Sequence, residues 1–164
     1  MKELPKEKMI KVAVAFDHRG VKLREAVLGA VAQAGCEAID LGVEDASVRV
    51  DYPDQAWDVA EQIRSAKARR GILVCGSGVG ACVAASKLPG IRAAICHDAY
   101  SAHQGVEHDD MNVLCLGSEI VGDALASELV TAFLRARFNE SDPRYAARLE
   151  KVEQMARDAA RDIA

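Results

Sequence analysis

Five short apolar segments alternate with stretches of helical periodicity along the chain, and this alternation restricts the fold more than any other feature. The predicted strands cover residues 10–16, 37–42, 71–75, 91–96 and 112–117. The predicted helices cover residues 21–35, 53–70, 77–87, a segment after 97–102, 122–138 and 142–164. The pattern predicts an α/β fold: a single-domain three-layer sandwich around a five-stranded parallel, doubly wound sheet of Rossmann-like or flavodoxin-like type, with a long C-terminal helix. We expect residues 1–8 to form a flexible tail and residues 9–164 to form the one domain.

Net charge, apolar segments and cysteine spacing exclude several classes of protein. The formal net charge is −4, so no basic field favours nucleic acid. No apolar segment approaches the roughly 20 residues of a membrane span, and the start of the chain lacks the apolar core of a signal peptide. The five cysteines are an odd set without a C-x-x-C pair, which favours reduced thiols over a disulfide framework or a zinc site. We therefore expect a cytoplasmic protein without a metal, a nucleic-acid partner or a membrane partner.

Polar side chains follow the predicted strands where a doubly wound sheet binds its ligands, outside the carboxyl ends of the strands. They are Asp17, His18 and Arg19 after the first strand, Asp51 and Tyr52 in the loop after the second, Cys75 to Gly80 after the third, and His97 and Asp98 after the fourth. Helix capping alone would explain Asp17 or Asp98. Capping requires neither His18 nor His97, so the collection indicates a binding cleft.

The segment "CGSGVGA" (75–81) places a thiol at the start of a glycine-rich loop. The loop lacks the Gly-Lys-Ser/Thr ending of a P-loop. It matches the weak dinucleotide pattern G-x-G-x-x-G/A, but it follows the third strand and no acidic strand end lies about 20 positions on. Small residues let main-chain N–H groups approach a ligand, so Gly76, Gly78 and Gly80 predict a cradle for an anion. Cys75 itself is either a thiolate favoured by a helix N-terminus or a buried structural residue, and its position alone leaves both open.

Several segments together resemble the ribose-5-phosphate isomerase B family, which includes the galactose-6-phosphate isomerase subunits. The similar segments are "AFDHRGVKL" (15–23), "DYPD" (51–54), "GILVCGSGVG" (71–80), "GIRAAICHDAYSA" (90–102), "EHDDMNVLCLGS" (107–118) and the R-x-x-x-R of Arg144 and Arg148. They occur in family order and span nearly the whole chain beyond the tail. The resemblance implies a cofactor-independent aldose–ketose isomerase of a sugar phosphate, acting through a cis-enediol(ate). It also implies a homodimer, or a tetramer built from dimers, with each active site shared between subunits.

The resemblance also implies roles for individual residues. Cys75 corresponds to the base that moves a proton between C1 and C2, Ser77 to the hydroxyl that stabilises the enediolate, and His97 to the residue that opens the sugar ring. Asp17 completes the predicted catalytic set. The predicted substrate-binding set is His18, Tyr52, Gly76, Gly78, Gly80, Asp109, Arg144 and Arg148, with the two arginines reaching the phosphate bound by a partner subunit.

The chain departs from the family pattern at three positions. Val106 stands where an arginine is common, Asp109 where an asparagine is common and Tyr145 where a histidine is common. These changes leave the predicted proton-transfer set intact and alter the binding set, so the preferred substrate is open among tetrose, pentose and hexose phosphates. The alternatives are a non-catalytic sugar-phosphate binder, or a subunit that needs a different partner chain, and a nucleotide-binding module that uses the glycine loop.

Overall fold

The computed structural model describes residues 9–162, so the tail predicted at residues 1–8 lies outside the described residues. All strand pairs are parallel and form one five-stranded sheet in the order β2-β1-β3-β5-β4. The strands are β1 (Lys11–Phe16), β2 (Glu37–Asp40), β3 (Arg70–Cys75), β4 (Ala93–Ile95) and β5 (Val113–Gly117). The parallel sheet predicted from the sequence is confirmed.

Six α-helices and one short 3₁₀ helix connect and follow the strands. They are the 3₁₀ helix Gly20–Leu23, α1 (Arg24–Gln33), α2 (Tyr52–Arg64), α3 (Val79–Ala85), α4 (Ala99–Asp109), α5 (Asp123–Arg135) and α6 (Pro143–Asp162). Helices α1, α4 and α5 pack together on one face of the sheet, and α2 and α3 pack together on the other. This arrangement is the predicted three-layer sandwich, and α6 is the predicted long C-terminal helix. None of the helices within residues 9–162 combines the length and the apolar character needed to cross a membrane.

Alternate residues of each strand supply two separate hydrophobic cores, because side chains of a strand point to opposite faces. Val12, Val14 and Phe16 pack under α1 and α5, whereas Ala13 and Ala15 pack under α2. The second face is lined by smaller side chains, which lets α2 and α3 approach the sheet closely. Cys75 belongs to this second core, so its side chain points toward α2 and α3 rather than toward α1.

Several predicted boundaries were wrong. The predicted helix 53–70 ends at Arg64, and Arg70 already belongs to β3. The first predicted helix starts as a 3₁₀ turn, because Asp17 accepts hydrogen bonds from the main-chain N–H groups of Arg19 and Gly20 and tightens the chain there. The predicted helix 77–87 is shorter, since Gly78 adopts a left-handed conformation (φ 81°) and α3 begins only at Val79. Within the predicted strand 91–96, only β4 (Ala93–Ile95) pairs with the sheet, as its outermost strand beside β5.

The strands end on two opposite sides of the sheet, and different residues lie on each side. We call the ends of the strands at Phe16, Cys75, Ile95 and Gly117 the carboxyl edge, and the opposite ends the amino edge. Because α4 follows β4 and precedes β5, it begins at the carboxyl edge and ends at the amino edge. The length of α4 therefore separates the residues at its start from those at its end within one chain.

Candidate active site

Cys75 is the last residue of β3, a six-residue strand that is buried along its whole length. The residue is 6% exposed, and its Sγ accepts a hydrogen bond from the main-chain N–H of Gly78 at 3.2 Å. The left-handed conformation of Gly78 turns that N–H back toward the sulfur, and such a conformation is easiest for glycine. The loop therefore directs a main-chain donor at the Cys75 sulfur.

Residues at the end of β5 pack against the glycine loop and donate hydrogen bonds to it. The main-chain N–H groups of Ser118 and Glu119 donate to the carbonyls of Cys75 (2.8 Å) and Gly76 (2.9 Å). Gly117 lies so close that a Cβ there would stand 2.7 Å from the carbonyl carbon of Ser77. The sequence prediction of the site named the ends of the first, third and fourth strands and missed Gly117 and Ser118. A Gly-Ser pair directly after the predicted strand 112–117 was the signal that could have found them.

His97 follows β4 and reaches the same edge. Its Nε2 accepts a hydrogen bond from the main-chain N–H of Gly117 at 3.0 Å, and Gly117 is the register partner of Cys75. An Nε2 that accepts cannot carry a proton, so the neutral ring carries its proton on Nδ1. The adjacent Asp98 caps α4 by accepting hydrogen bonds from the N–H and hydroxyl of Ser101, and these bonds hold the pKa of Asp98 below its usual value.

The first strand brings Asp17, His18 and Arg19 to this edge. Asp17 is buried, and its Oδ1 accepts the N–H groups of Arg19 (2.9 Å) and Gly20 (2.7 Å). Asp17 thus shapes the turn after β1. His18 is half-buried, and its Nδ1 is enclosed without a hydrogen-bond partner among the described residues. The Arg19 guanidinium covers Gly76, where an added Cβ would lie 2.8 Å from its Cζ.

Tyr52 begins α2 and covers the other side of the glycine loop. A Cβ added to Gly80 would stand 2.9 Å from the Tyr52 ring, so the absence of a side chain at Gly80 lets the ring approach. Tyr52 is 44% exposed despite this contact. The ring is therefore a wall of the site that remains open to solvent. Ser77, at the tip of the loop, is exposed as well, and its Oγ accepts the N–H of Val79 at 3.3 Å.

Three predicted binding residues do not join this group. Asp109 lies at the last turn of α4, at the amino edge, and Arg144 and Arg148 lie on α6 nearby. The neighbouring His108 stacks on Tyr145 with 4.1 Å between ring centroids, which ties the end of α4 to the start of α6. Asp109 and Arg148 also line one cavity of about 320 Å³ between β4, α4 and α6. Within one chain, the eleven residues of α4 separate these groups from the carboxyl edge by roughly 16 Å.

The structure also shows the surroundings of Val106, one of the three departures, and of the two predicted arginines. Val106 is fully buried in the core that includes Phe133, so this departure from the family pattern changes packing rather than the charge of an open site. Arg144 forms a two-point ion pair with Asp142, with Nε–Oδ1 at 3.0 Å and Nη2–Oδ2 at 2.6 Å. This pairing lowers the pKa of Asp142 to about 2. Arg148 has no carboxylate within 4 Å among residues 9–162.

Within residues 9–162, no three His, Cys, Asp or Glu side chains gather in a way that would hold a metal ion. The groups that the carboxyl edge brings together are a thiol, an imidazole, a hydroxyl and several main-chain N–H groups. Such a set can move a proton and stabilise negative charge on oxygen.

Residues 12–152 match the family model described as Ribose/Galactose Isomerase. The chain belongs to the ribose/galactose isomerase family. Ribose-5-phosphate isomerase B of Escherichia coli is 40% identical over 144 residues, which cover 88% of this chain and 95% of that protein. D-erythrulose-4-phosphate isomerase of Pectobacterium atrosepticum is 35% identical over 144 residues, covering 88% of this chain and 93% of that protein. The solved structure of Trypanosoma brucei type B ribose 5-phosphate isomerase superposes with a TM-score of 0.85 at 40% identity, covering 90% of this chain and 99% of that one.

Membership makes the chain an enzyme of the aldose–ketose isomerase class, and the family resemblance inferred from the sequence is confirmed. The single-domain α/β fold agrees with that of the solved relatives. The family does not by itself assign a sugar or the roles of individual residues in this chain.

Proposed function

We propose that the chain interconverts the aldose and ketose forms of a phosphorylated sugar, with Cys75 as the base. The observation that supports this assignment most directly is the position of the Cys75 sulfur. It ends a rigid buried strand, accepts the N–H of Gly78 and lies in register with Gly117, the residue that binds His97. A base held on a strand end keeps a fixed distance to two adjacent carbons of a substrate, which the reaction requires.

The proposed reaction moves one proton from C2 to C1 and one proton from O2 to O1, and it leaves the elemental composition of the sugar unchanged. The Cys75 thiolate removes the proton from C2 of the open-chain aldose, and the C2–H electron pair forms the C1–C2 double bond of a cis-enediolate. In that step the carbonyl electron pair of C1 passes to O1. A proton then moves from the O2 hydroxyl to O1, the O2 electron pair forms the carbonyl at C2, and the electron pair of the C1–C2 double bond takes the proton of the Cys75 thiol at C1, which regenerates the thiolate. Main-chain N–H groups of the loop 76–80 and the Ser77 hydroxyl are proposed to stabilise the enediolate oxygens. These steps require neither a metal nor an organic cofactor.

His97 is the proposed acid for ring opening. Because its Nε2 accepts the N–H of Gly117, only Nδ1–H is available to donate a proton to the ring oxygen. The same bond fixes the orientation of the imidazole relative to β5. His18, whose Nδ1 has no partner in the described part of the chain, and Tyr52 are proposed to bind sugar hydroxyls beside it.

The proposed active site is shared between two copies of the chain in a homodimer. Asp109 lies at the end of α4, roughly 16 Å along the helix from the carboxyl edge of its own chain, and Arg144 and Arg148 lie on α6 nearby. Exposed apolar side chains on α2 and α3, Trp57 (53%), Val79 (52%) and Val83 (56%), offer a surface for a second copy beside the glycine loop. In such a dimer the arginines of one copy would meet the phosphate held by the other, because guanidinium groups bind phosphate through paired hydrogen bonds.

The substrate class is a tetrose, pentose or hexose phosphate, and the related proteins named above act on a four-carbon and a five-carbon sugar phosphate. Asp109 stands where the family pattern has an amide, so its carboxylate would disfavour a nearby phosphate dianion and instead accept hydrogen bonds from hydroxyls. A panel of phosphorylated tetroses, pentoses and hexoses, assayed with the purified protein alone, identifies the sugar. Absence of turnover across the panel would support a partner-dependent or non-catalytic subunit instead.

The role of Cys75 is tested by Cys75→Ala against the matched control Cys36→Ala. Loss of a positioned base lowers kcat about 10²-fold or more, since such groups contribute roughly 10²–10⁴ in rate. Cys36 is distant from the carboxyl edge, and its replacement should leave kcat unchanged. A Cys75→Ala protein that folds and turns over at the rate of the unmodified protein would exclude Cys75 as the base.

The shared site is tested by mixing two inactive variants. Cys75→Ala and the double variant Arg144→Gln/Arg148→Gln each damage a different half of every site in a homodimer. After unfolding and refolding together, mixed dimers contain one intact site, so activity should return to about a quarter of the original. Activity that never rises above the sum of the separate variants would contradict a site built from two chains.

A further inference from the structure

A second cavity, of about 300 Å³, opens at the amino edge between the end of α1, the start of β3 and the end of α5. Four arginines line it: Arg69, Arg70, Arg135 and Arg137. The remaining lining residues are Ile10, Ala34, Gly35, Cys36, Leu134 and Ala136. The lining drawn from residues 9–162 therefore contains four cations and no acidic side chain.

Arg70 forms the base of this cavity and is 8% exposed. Its guanidinium donates to the carbonyls of Phe133 and Ala136, the latter at 2.6 Å, and lies 5.1 Å over the Phe133 ring. The carbonyls at the end of α5 supply only partial negative charge. Buried arginines are ordinarily paired with a full negative charge, yet no carboxylate of the described residues lies within 4 Å of this one.

The surrounding charges leave the cavity positive. Burial and the neighbouring Arg69 and Arg137 lower the pKa of Arg70 to about 10, and the opposing influence of Asp110 is smaller than that of burial and Arg69. Asp110 is itself engaged by Arg92 at 2.6 Å. The nearby Glu37 carboxylate is likewise occupied, by Lys11 at 3.1 Å.

The three outer arginines add cations without local compensation. Arg69, Arg135 and Arg137 are exposed, and none has a carboxylate within 4 Å in the described part of the chain. Guanidinium groups that converge on a concave site bind tetrahedral oxyanions through paired hydrogen bonds better than they bind chloride. The apolar wall formed by Ile10 and Leu134 would accept a short carbon chain attached to such an anion.

We propose that this cavity binds a small phosphate-class dianion, either free or as the phosphate of a small metabolite. It is separate from the half of the proposed active site around Cys75, and none of its lining residues lines the cavity that contains Asp109 and Arg148. Arg70 and Cys75 are the first and last residues of β3, so the two sites lie roughly 17 Å apart at about 3.3 Å per residue. The inference does not depend on which sugar the enzyme isomerises.

The test is an amide chemical-shift titration of the ¹⁵N-labelled full chain with inorganic phosphate and, separately, with glycerol 3-phosphate, at ionic strength held constant with sodium chloride. Saturable shifts are expected at the amides of Gly35, Cys36 and Gly71, independently of any shifts at residues 76–80. Similar affinity for both probes would indicate recognition of the phosphate alone. Tighter binding of glycerol 3-phosphate would indicate that the apolar wall contributes, and both results support the site.

The double variant Arg69→Gln/Arg137→Gln should weaken binding at the amino edge at least tenfold, because two of the guanidinium partners are removed. Arg161→Gln, which removes an exposed cation on α6, is the matched control and should leave the affinity unchanged. Arg70 is left intact because its replacement would unpair two buried carbonyls. Shifts confined to residues 76–80, or amino-edge affinities equal in the double variant and the control, would overturn the proposal.

Discussion

Replacement of Gly117 by alanine provides a sharp test of how the active-site loop is held. An added Cβ would stand 2.7 Å from both the carbonyl carbon and the carbonyl oxygen of Ser77, and these main-chain atoms cannot rotate away. The loop would have to move by about 0.7 Å to restore an ordinary contact near 3.4 Å. Gly117 also supplies the N–H that holds His97, so the same change acts on both groups.

We expect Gly117→Ala to lower both the free energy of unfolding and kcat. Overpacking of a tight site typically costs about 1–3 kcal/mol. In a chain of this size that lowers Tm by roughly 2–12 °C. A displacement near 1 Å of groups that must align with a substrate can cost about 10²-fold in rate. We therefore expect Gly117→Ala to remain folded at 25 °C and to lose about two orders of magnitude in kcat.

The assay is steady-state kinetics at saturating substrate, with circular dichroism and thermal unfolding on the same preparations. Gly122→Ala is the matched control, because a Cβ there meets no atom within 4 Å. Gly29→Ala, in an open position inside α1, should raise stability by about 0.5–1 kcal/mol through helix propensity. A Gly117→Ala protein whose kcat equals that of Gly122→Ala would refute the close packing of Gly117 on the Ser77 loop.

Two further predictions concern the connection after β4. The carboxylate of Asp98 caps α4, and its pKa is lowered by the bonds from Ser101, so its stabilising effect is present above its ordinary value of 3.8 and is lost as pH falls. Asp98→Ala should therefore lower the urea midpoint at pH 7 but not at pH 2, and an equal decrease at both values would contradict the cap. His97→Ala should slow turnover of a pentose phosphate about 10²-fold or more while sparing a tetrose 4-phosphate, which cannot close a furanose ring. If both sugars slow equally, or if His108→Ala shows the selective loss instead, His97 is not the ring-opening acid.

The sheet was predictable because each strand carries its own signal. The segment 71–75 is apolar on both faces, as a central parallel strand must be, and β3 is indeed buried on both sides. The start of α3 was not predictable from the sequence, because the Gly-Ser-Gly segment 76–78 does not indicate at which of its residues the helix begins. The helix begins only at Val79 because Gly78 adopts a left-handed conformation, and the N–H of Gly78 donates to the Cys75 sulfur instead. That conformation depends on contacts with β5, more than thirty residues away in sequence.

The candidate site was predicted in part for a related reason. Residues that directly follow a strand, such as Cys75 and His97, must lie at the carboxyl edge of a parallel sheet. Gly117 lies between them because β5 pairs with β3, which makes β4 the outermost strand of the sheet. A linear sequence gives no indication of that order. Asp98 and Asp17 could equally be caps or site residues from the sequence, and the hydrogen bonds show that both carboxylates accept main-chain N–H groups.

The two halves of the proposed site differ in how firmly the fold holds them. Cys75 ends β3, the central strand, which pairs with both β1 and β5, and the Cys75 carbonyl accepts the N–H of Ser118 at 2.8 Å. In α6, by contrast, no described side chain is buried, and the helix is attached through the Tyr145–His108 stack and the Arg92–Glu153 ion pair at 3.1 Å. Substitutions on α6 can therefore change phosphate binding with little effect on folding, whereas substitutions around Cys75 affect the core directly. The proposed proton-transfer groups are fixed by the sheet, whereas the proposed phosphate-binding groups lie on a lightly attached helix. We therefore expect substitutions on α6 to change substrate preference without altering the surroundings of Cys75.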